Sequence, residues 1–319
     1  MGNFYSNPWG SGLEPVMEMV EAFSPCHITG FFQICDEVED PLYVGSRGAG
    51  VSLRRGVKTI VKVDRDSTPS FRISINGSIS NSAEVSEHLV KMFISRFEEM
   101  RNFEILVEHH LDVPIGAGLG TSGAAALSLS LALNRIFELG MSKTEAAQLA
   151  HIAEVECRTG LGTVIAECLG GVEIRVKAGA PGIGEVRHIP TPEDHVVLCL
   201  ILGPLSTRRL LTDREVRRRI NMLGGKLVDE IVENPTISNF MRLSRIFAEN
   251  VGLMSYEVRR IFEIMDKSGI IVSMPMFGDG VFTICRKDCV KDILSLLDYE
   301  FKGEIIISEI DSEGARVIE

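Results

Sequence analysis

From Phe103 to Leu111 the chain alternates. Ile105, Val107, His109 and Leu111 fall on one parity, and Leu106, Glu108 and His110 on the other. A period of two with one apolar face predicts a half-exposed strand of the antiparallel kind. Residues 22–77 carry β-branched residues in partial alternation, as in GVSLRRGVKTIVKVD and SFRISING, and predict strands joined by turns. The period lengthens to that of a helix over 82–100, with Ser82 as its cap, and again over about 121–139. A further helix spans 142–158, where Ser142 and Glu145 have the spacing of a capping box. The turn TGLGT then leads into VIAECLGG and the strand GVEIRVK. Further on, HVVLCLILG predicts a buried strand, and helices follow over 212–232, 235–250 and 255–268. GIIVSMPMFGDGVFTIC reads as strand–turn–strand, 287–298 as a helix and EIIISEI as a last strand. No segment repeats at a fixed period. The order predicts an α+β fold in two domains, 21–190 and 191–319, divided near KAGAPGIGE. Residues 1–20, rich in Gly, Ser, Asn and Pro, read as a flexible extension.

The patterning breaks at DVPIGAGLGTSGAAALSLSLALN, residues 112–134. Gly118, Gly120 and Gly123 fit the dinucleotide fingerprint G-x-G-x-x-G. That site needs a buried parallel strand, one helix, and a second strand ending in an acid. Here the preceding strand carries Glu108, His109 and His110, and two helices follow in succession. The acid at the right distance, Glu138, lies inside a helix. No Lys-Ser/Thr follows the last glycine, so a Walker A loop fails too. What remains is the physics shared by both loops. Small residues let backbone N–H groups face an anion, and the helix starting near Thr121 adds its positive end. Thr121 and Ser122 offer hydroxyls to a phosphate or to Mg2+. A helix entry that merely packs closely on a neighbour explains the three alternating glycines and two hydroxyls less well.

The net charge of −11 over 319 residues speaks against nucleic acid as a partner. It is compatible with an anionic substrate in a locally basic pocket. TDREVRRRIN (212–221) is Arg-rich, but Asp213 and Glu215 share its helix, so it reads as a solvated or oligomer face. No apolar run is long enough for a bilayer, and the N-terminus lacks the regions of a signal peptide. The seven cysteines form no C-x-x-C pair and several sit in apolar runs, which predicts reduced, mostly buried thiols and a cytoplasmic protein. The sequence is silent on assembly; a homodimer is the commonest choice.

The loop Pro114–Gly123, P-I-G-A-G-L-G-T-S-G, resembles the second motif of the GHMP kinases, the small-molecule kinase superfamily of galactokinase, homoserine kinase and mevalonate kinase. AFSPCHITGFF (22–32) resembles its substrate-side first motif, and SMPMFGDGVFTI (273–284) the glycine-containing third motif that braces the phosphate loop. The three occur in family order and span most of the chain. Within the superfamily, SPCHITGFF, HIAEVECRTGLGTVIAECLGGVEIR (151–175) and GPLSTRRLL (203–211) look most like the archaeal pantoate kinases.

The resemblance implies a ribosomal-S5-like N-terminal domain that binds ATP and a ferredoxin-like C-terminal domain. It implies ATP phosphates on Pro114, Gly116, Ala117, Gly118, Leu119, Gly120, Thr121, Ser122 and Gly123, with Mg2+ on Ser122 and Glu154. A small hydroxy acid would meet Ser24, His27, Thr29, His151 and Arg175. Its terminal primary alcohol would be phosphorylated, pantoate giving 4-phosphopantoate for coenzyme A synthesis. Read from the residues alone, His151 and Glu154 share a helix face, and Glu154–Arg158 would serve as an ordinary helix pair. Two positions depart from the pattern. Thr163 stands where the family has the Asp that acts as base or polariser, and Cys26 where it usually has Gly. Thr163 therefore borders the acceptor hydroxyl by hydrogen bonding at best. The departure keeps open a mevalonate 3-phosphate 5-kinase or a related mevalonate-pathway kinase, and a non-catalytic ATP-binding relative. A phosphorylated acceptor would need further cations, for which Arg47, Arg54, Arg55, Arg208 and Arg209 are candidates.

Overall fold

Two long strands begin the fold, β1 (Glu18–Cys35) and β2 (Gly45–Arg65), paired antiparallel over most of their length. The computed structural model describes residues 18–65, 70–80, 83–205, 212–297 and 301–318. The proposed cap Ser82, the cations Arg208 and Arg209, and most of the N-terminal extension lie outside them. Next come β3 (Ser70–Ile75), the short β4 (Ser78–Ile79), helix α1 (Glu84–Arg96) and β5 (Phe103–Leu111). Helices α2 (Thr121–Ile136), α3 (Lys143–Cys157) and α4 (Thr163–Leu169) lead to the hairpin β6 (Val172–Lys177) and β7 (Glu185–Ile189).

Among the described residues these strands and β11 (Arg316–Ile318) form one eight-stranded sheet with path β11-β1-β2-β5-β3-β4, on which β6 pairs with β2 and β7 with β6. The strand β5 lies antiparallel to β2 but parallel to β3, so the expected antiparallel setting holds on one edge only. The buried parity Ile105, Val107 and His109 is the one read from the sequence. His109 tolerates the core because the Thr59 and Ser86 hydroxyls bond its two ring nitrogens at 2.8 and 3.0 Å. The capping box at Ser142 and Glu145 is formed. VIAECLGG, unassigned from sequence, supplies helix α4.

The second half builds a three-stranded sheet, β10-β8-β9, from β8 (His195–Pro204), β9 (Gly278–Arg286) and β10 (Glu304–Glu309). Around it lie α5 (Arg214–Glu233), α6 (Ile237–Val251), α7 (Tyr256–Lys267) and α8 (Val290–Leu297). Asp213, Thr236 and Ser255 cap the first three of these through their side chains, which fixes the helix starts two residues or fewer from those expected. In α6, Phe240, Leu243, Phe247 and Val251 recur at helical spacing and are buried. They pack in one core with Phe31, Phe32, Val51 and Leu53 of the first sheet and Val197–Ile201 of the second. The expected first arm of 270–284 reduces to one bridge, Ser273 to Phe282. After β10 the chain returns to the first sheet, where β11 (Arg316–Ile318) pairs with β1. The C-terminus thus joins the N-terminal sheet, a crossing that the apolar pattern of so short a strand did not signal.

Candidate active site

Strand β1 is irregular where chemistry is expected. Register shifts at Pro25/Cys26 and at Thr29/Phe31 bracket His27, Ile28 and Thr29. A bulge frees backbone groups from the ladder and turns side chains. The freed groups knit the three motif regions together. The His27 N–H donates to the Leu119 carbonyl at 2.9 Å, and the Met276 N–H donates to the Thr29 carbonyl at 3.1 Å. The Leu205 N–H donates to the Gly116 carbonyl at 3.0 Å.

The glycine loop runs through left-handed backbone at Gly116, Gly118 and Gly120, with φ of 77°, 72° and 70°. Gly120 is the N-cap of α2, whose first turn carries neither a side-chain cap nor an acidic residue. Its first N–H groups and the positive end of the helix are left for an anion. The loop borders a cavity of about 440 Å³. Gly116, Gly118, Leu119, Gly120, Thr121 and Ser122 line it, together with His27, Thr29, Glu154, Thr163 and Arg175. Pro114, Ala117 and Gly123 are part of the loop but not of the wall.

Two carboxylates approach the start of α2. Glu154 comes from α3, and a Cβ on Gly160 would overlap its carboxylate, so the TGLGT turn must be small there. Burial lifts the Glu154 carboxyl to about 7. Glu167, which no sequence signal had marked, is fully buried on α4 and neither of its oxygens has a hydrogen-bond partner. Burial first, and then the neighbouring Glu154, push its carboxyl well above the usual range.

A third carboxylate, Glu173 on β6, is also fully buried and was missed. Both its oxygens lie 3.1 Å from His27 Nε2, and Oε1 accepts from Arg175 Nη1. His27 Nδ1 in turn meets the Thr29 hydroxyl at 3.4 Å. Glu173 and Arg175 are two apart on a strand and so share a face, which is the sequence signal that links them. Arg175 is 1% exposed, and its Nε has no partner. Burial lowers its pKa, and the Glu173 carboxylate opposes that shift.

Two expected substrate contacts do not reach the cavity. Ser24 is buried on β1 before the first bulge, and its hydroxyl donates to the Pro25 carbonyl. His151 faces the other way, its Nε2 3.1 and 3.0 Å from the carbonyls of Pro41 and Val44, where it fastens the β1–β2 connection. His151 is buried there. Among the described residues no three His, Cys, Asp or Glu cluster to hold a metal unaided. No described helix is long and apolar enough to cross a membrane.

Residues 87–171 match the family described as the GHMP kinases N terminal domain. The pantoate kinase of Methanocaldococcus jannaschii is 36% identical over 277 residues, covering 86% of this chain and 96% of the relative. That of Thermococcus kodakarensis is 35% identical, covering 94% and 98%. A solved structure titled a phosphotransferase related to the CoA biosynthesis pathway superposes with a TM-score of 0.85 at 34% identity, over 94% of this chain and 98% of that one.

Proposed function

Since the chain belongs to the GHMP kinase family and is an ATP-dependent kinase, we propose that it phosphorylates the terminal hydroxyl of pantoate, giving 4-phosphopantoate. The observation that carries this reading is Arg175. Its buried guanidinium keeps an unpartnered Nε at a cavity that also holds the glycine loop. A planar, permanently charged fork suits one carboxylate of a small acceptor. Glu173 holds that fork in place and His27 beside it.

The donor set also fits Mg·ATP. An uncapped helix start and three left-handed glycines suit the phosphates. One hydroxyl and one carboxylate, Ser122 and Glu154, suit Mg2+, which takes few protein ligands and completes its shell with phosphate oxygens and water. When bound, Mg·ATP supplies the phosphoryl group and neutralises charge on its phosphates. The chain's own work is positioning. The amides of α2 and the loop fix the phosphates, Arg175 fixes the acceptor carboxylate, and His27 and Thr29 order the acceptor between them. Thr163 borders the hydroxyl with a side chain that cannot hold a negative charge.

The rival acceptor, mevalonate 3-phosphate, carries a second anionic group. Among the described residues lining the cavity, Arg175 is the one arginine or lysine. Arg47 is bonded to Asp229 and to the Val176 carbonyl, Arg54 to Glu309, and Arg55 to the Ile307 carbonyl, all away from the wall. Among the described residues, those placements favour the singly charged acceptor; Arg208 and Arg209 lie outside them. Purified protein with Mg·ATP and a panel of pantoate, mevalonate and the two mevalonate monophosphates tests the reading through ADP release. Turnover of pantoate is expected. Turnover of a mevalonate species alone overturns the acceptor, and no ADP release with any of them overturns the transfer.

A further inference from the structure

The carboxylate missing at position 163 has a counterpart one helical turn away. Thr163 and Glu167 are four apart on α4 and point to one place. A Cβ on Gly120 would lie 2.7 Å from Thr163 Cγ2 and 2.5 Å from Glu167 Oε1. A Cβ on Gly123 would lie 2.8 Å from Glu167 Oε2 and 3.2 Å from Glu154 Oε1. The two carboxylates therefore flank the first turn of α2, beside Ser122, and the glycines at 120 and 123 are what leave them room.

A fully buried carboxylate with two unpartnered oxygens is costly in a folded protein. Such a group is normally paired or bound to a cation. No arginine, lysine or histidine among the described residues is bonded to Glu167. Its charge neighbours are all acidic or neutral-acid groups, with Glu154 first, then Cys168 and Glu173. The arrangement lacks one component, a positive charge at the junction of α2, α3 and α4. Mg2+ sites at phosphates use one or two carboxylates.

We propose that Glu167 is a second carboxylate for the divalent cation, acting from α4 with Glu154 and Ser122. The inference rests on the kinase reading of the cavity. It assigns Glu167 to cation binding and leaves proton removal from the acceptor unassigned.

The test measures Mn2+ binding by electron paramagnetic resonance in the presence of a non-hydrolysable ATP analogue. Wild type, Glu154→Gln and Glu167→Gln are compared. Thermal melts with and without cation plus analogue run in parallel, and both glutamines preserve side-chain shape. Loss of a supporting carboxylate at a metal typically weakens binding about 10- to 100-fold. We expect a loss of at least about tenfold in Glu167→Gln. Without cation its melting temperature should match or exceed that of wild type, because the glutamine replaces a buried carboxyl that has no partner and can hold no charge there without cost. The cation-dependent rise should shrink. Thr163→Asp in the Glu167→Gln background should recover most of the lost Mn2+ affinity. A wild-type Mn2+ affinity in Glu167→Gln, with Glu154→Gln impaired, overturns the inference and leaves the kinase reading standing. Unimpaired binding in both variants overturns the inference and the cation assignment together. A Glu167→Gln chain that melts lower without cation would mark the carboxylate as a structural group and also overturns it.

Discussion

Gly118 and Gly77 offer a controlled comparison of what the glycine loop requires. Both sit in left-handed backbone, at φ of 72° and 79°. A Cβ on Gly77 meets nothing within 4 Å, whereas one on Gly118 lies 2.7 Å from the Gly278 nitrogen and 2.7 Å from the Met276 carbonyl oxygen. Alanine at Gly77 therefore incurs only the backbone term, about 1–2 kcal/mol. Alanine at Gly118 incurs the same term plus an overlap with backbone that cannot rotate away, for which about 1–3 kcal/mol is typical. The loop can relieve that overlap only by lifting from the segment 276–278, which carries with it the amides at the start of α2. A misplacement worth about 1.4 kcal/mol is tenfold in binding. Gly77→Ala should lower the denaturation midpoint and leave the KM for ATP alone. Gly118→Ala should lower the midpoint further and raise the KM for ATP about tenfold or more. Equal destabilisation by the two variants, with a wild-type KM for ATP in Gly118→Ala, would refute the claim that the third motif braces the loop.

Three further outcomes follow from single residues. Arg175→Lys keeps the charge and loses the fork; the KM for the acceptor should rise about 10- to 100-fold, as for a lost charge-assisted bond of about 1.5–3 kcal/mol, with the KM for ATP unchanged. Initial-rate kinetics in both substrates check this, and a parallel rise in both constants would place Arg175 elsewhere. Glu173→Gln releases His27 and Arg175 together, so it should raise the acceptor KM and lower thermal stability, since Arg175 is left buried with less compensation. His109 is held neutral by burial, its pKa lowered to about 4 from 6.5. The unfolded chain takes up a proton below about pH 6.5 while the folded chain does not, so stability should fall as pH drops from about 6.5 to about 4, by about 3 kcal/mol in all. Urea midpoints across that range give the slope, and an imidazole resonance of His109 titrating near 6.5 in the folded protein would contradict it.

Much of this fold is periodic, and periodicity is legible. Ile105, Val107 and His109 declare the buried face of β5, and the Ser142–Glu145 box marks the start of α3 where the structure has it. The glycine loop is legible for another reason, because positive φ at Gly116, Gly118 and Gly120 restricts which residues can stand there. Pairing across long separations leaves no such trace. Neither the parallel partner of β5 nor the return of β11 to β1 can be read from local pattern. The site divides in the same way. Ser122 and Glu154 stand in recognisable stretches, but the direction of a side chain on a helix depends on what packs around it. His151 shares a helix with Glu154 and yet turns to the carbonyls of Pro41 and Val44. Glu173 and Glu167 are single carboxylates in apolar runs, VEIRV and VIAECL, where their signal is the mismatch between a charge and its surroundings.

The charges at the cavity have a consequence for how ligands enter. Arg175 and Glu173 form a buried ion pair, while Glu154 on the wall and Glu167 buried behind the start of α2 are both pushed toward the protonated form by burial. An anionic nucleotide approaching without cations meets a favourable helix end and two carboxyls that burial holds toward the protonated form, so nothing there offsets the charge of the phosphates. A cation approaching alone finds two carboxylates and a hydroxyl, too few ligands to fill its shell. Each ligand therefore supplies what the other lacks, and thermodynamic reciprocity requires that each tighten the other by the same factor. A site whose carboxylates all paired with fixed cations would bind nucleotide without that coupling. Among the described residues, one guanidinium lies against Glu173 and none against Glu167, which distinguishes the two sides of the proposed site. On the proposed reading, one half would recognise an acceptor carboxylate through a permanent charge. The other would hold phosphates more tightly when the cation arrives with them, which would tie phosphate binding to the form of the nucleotide that can react.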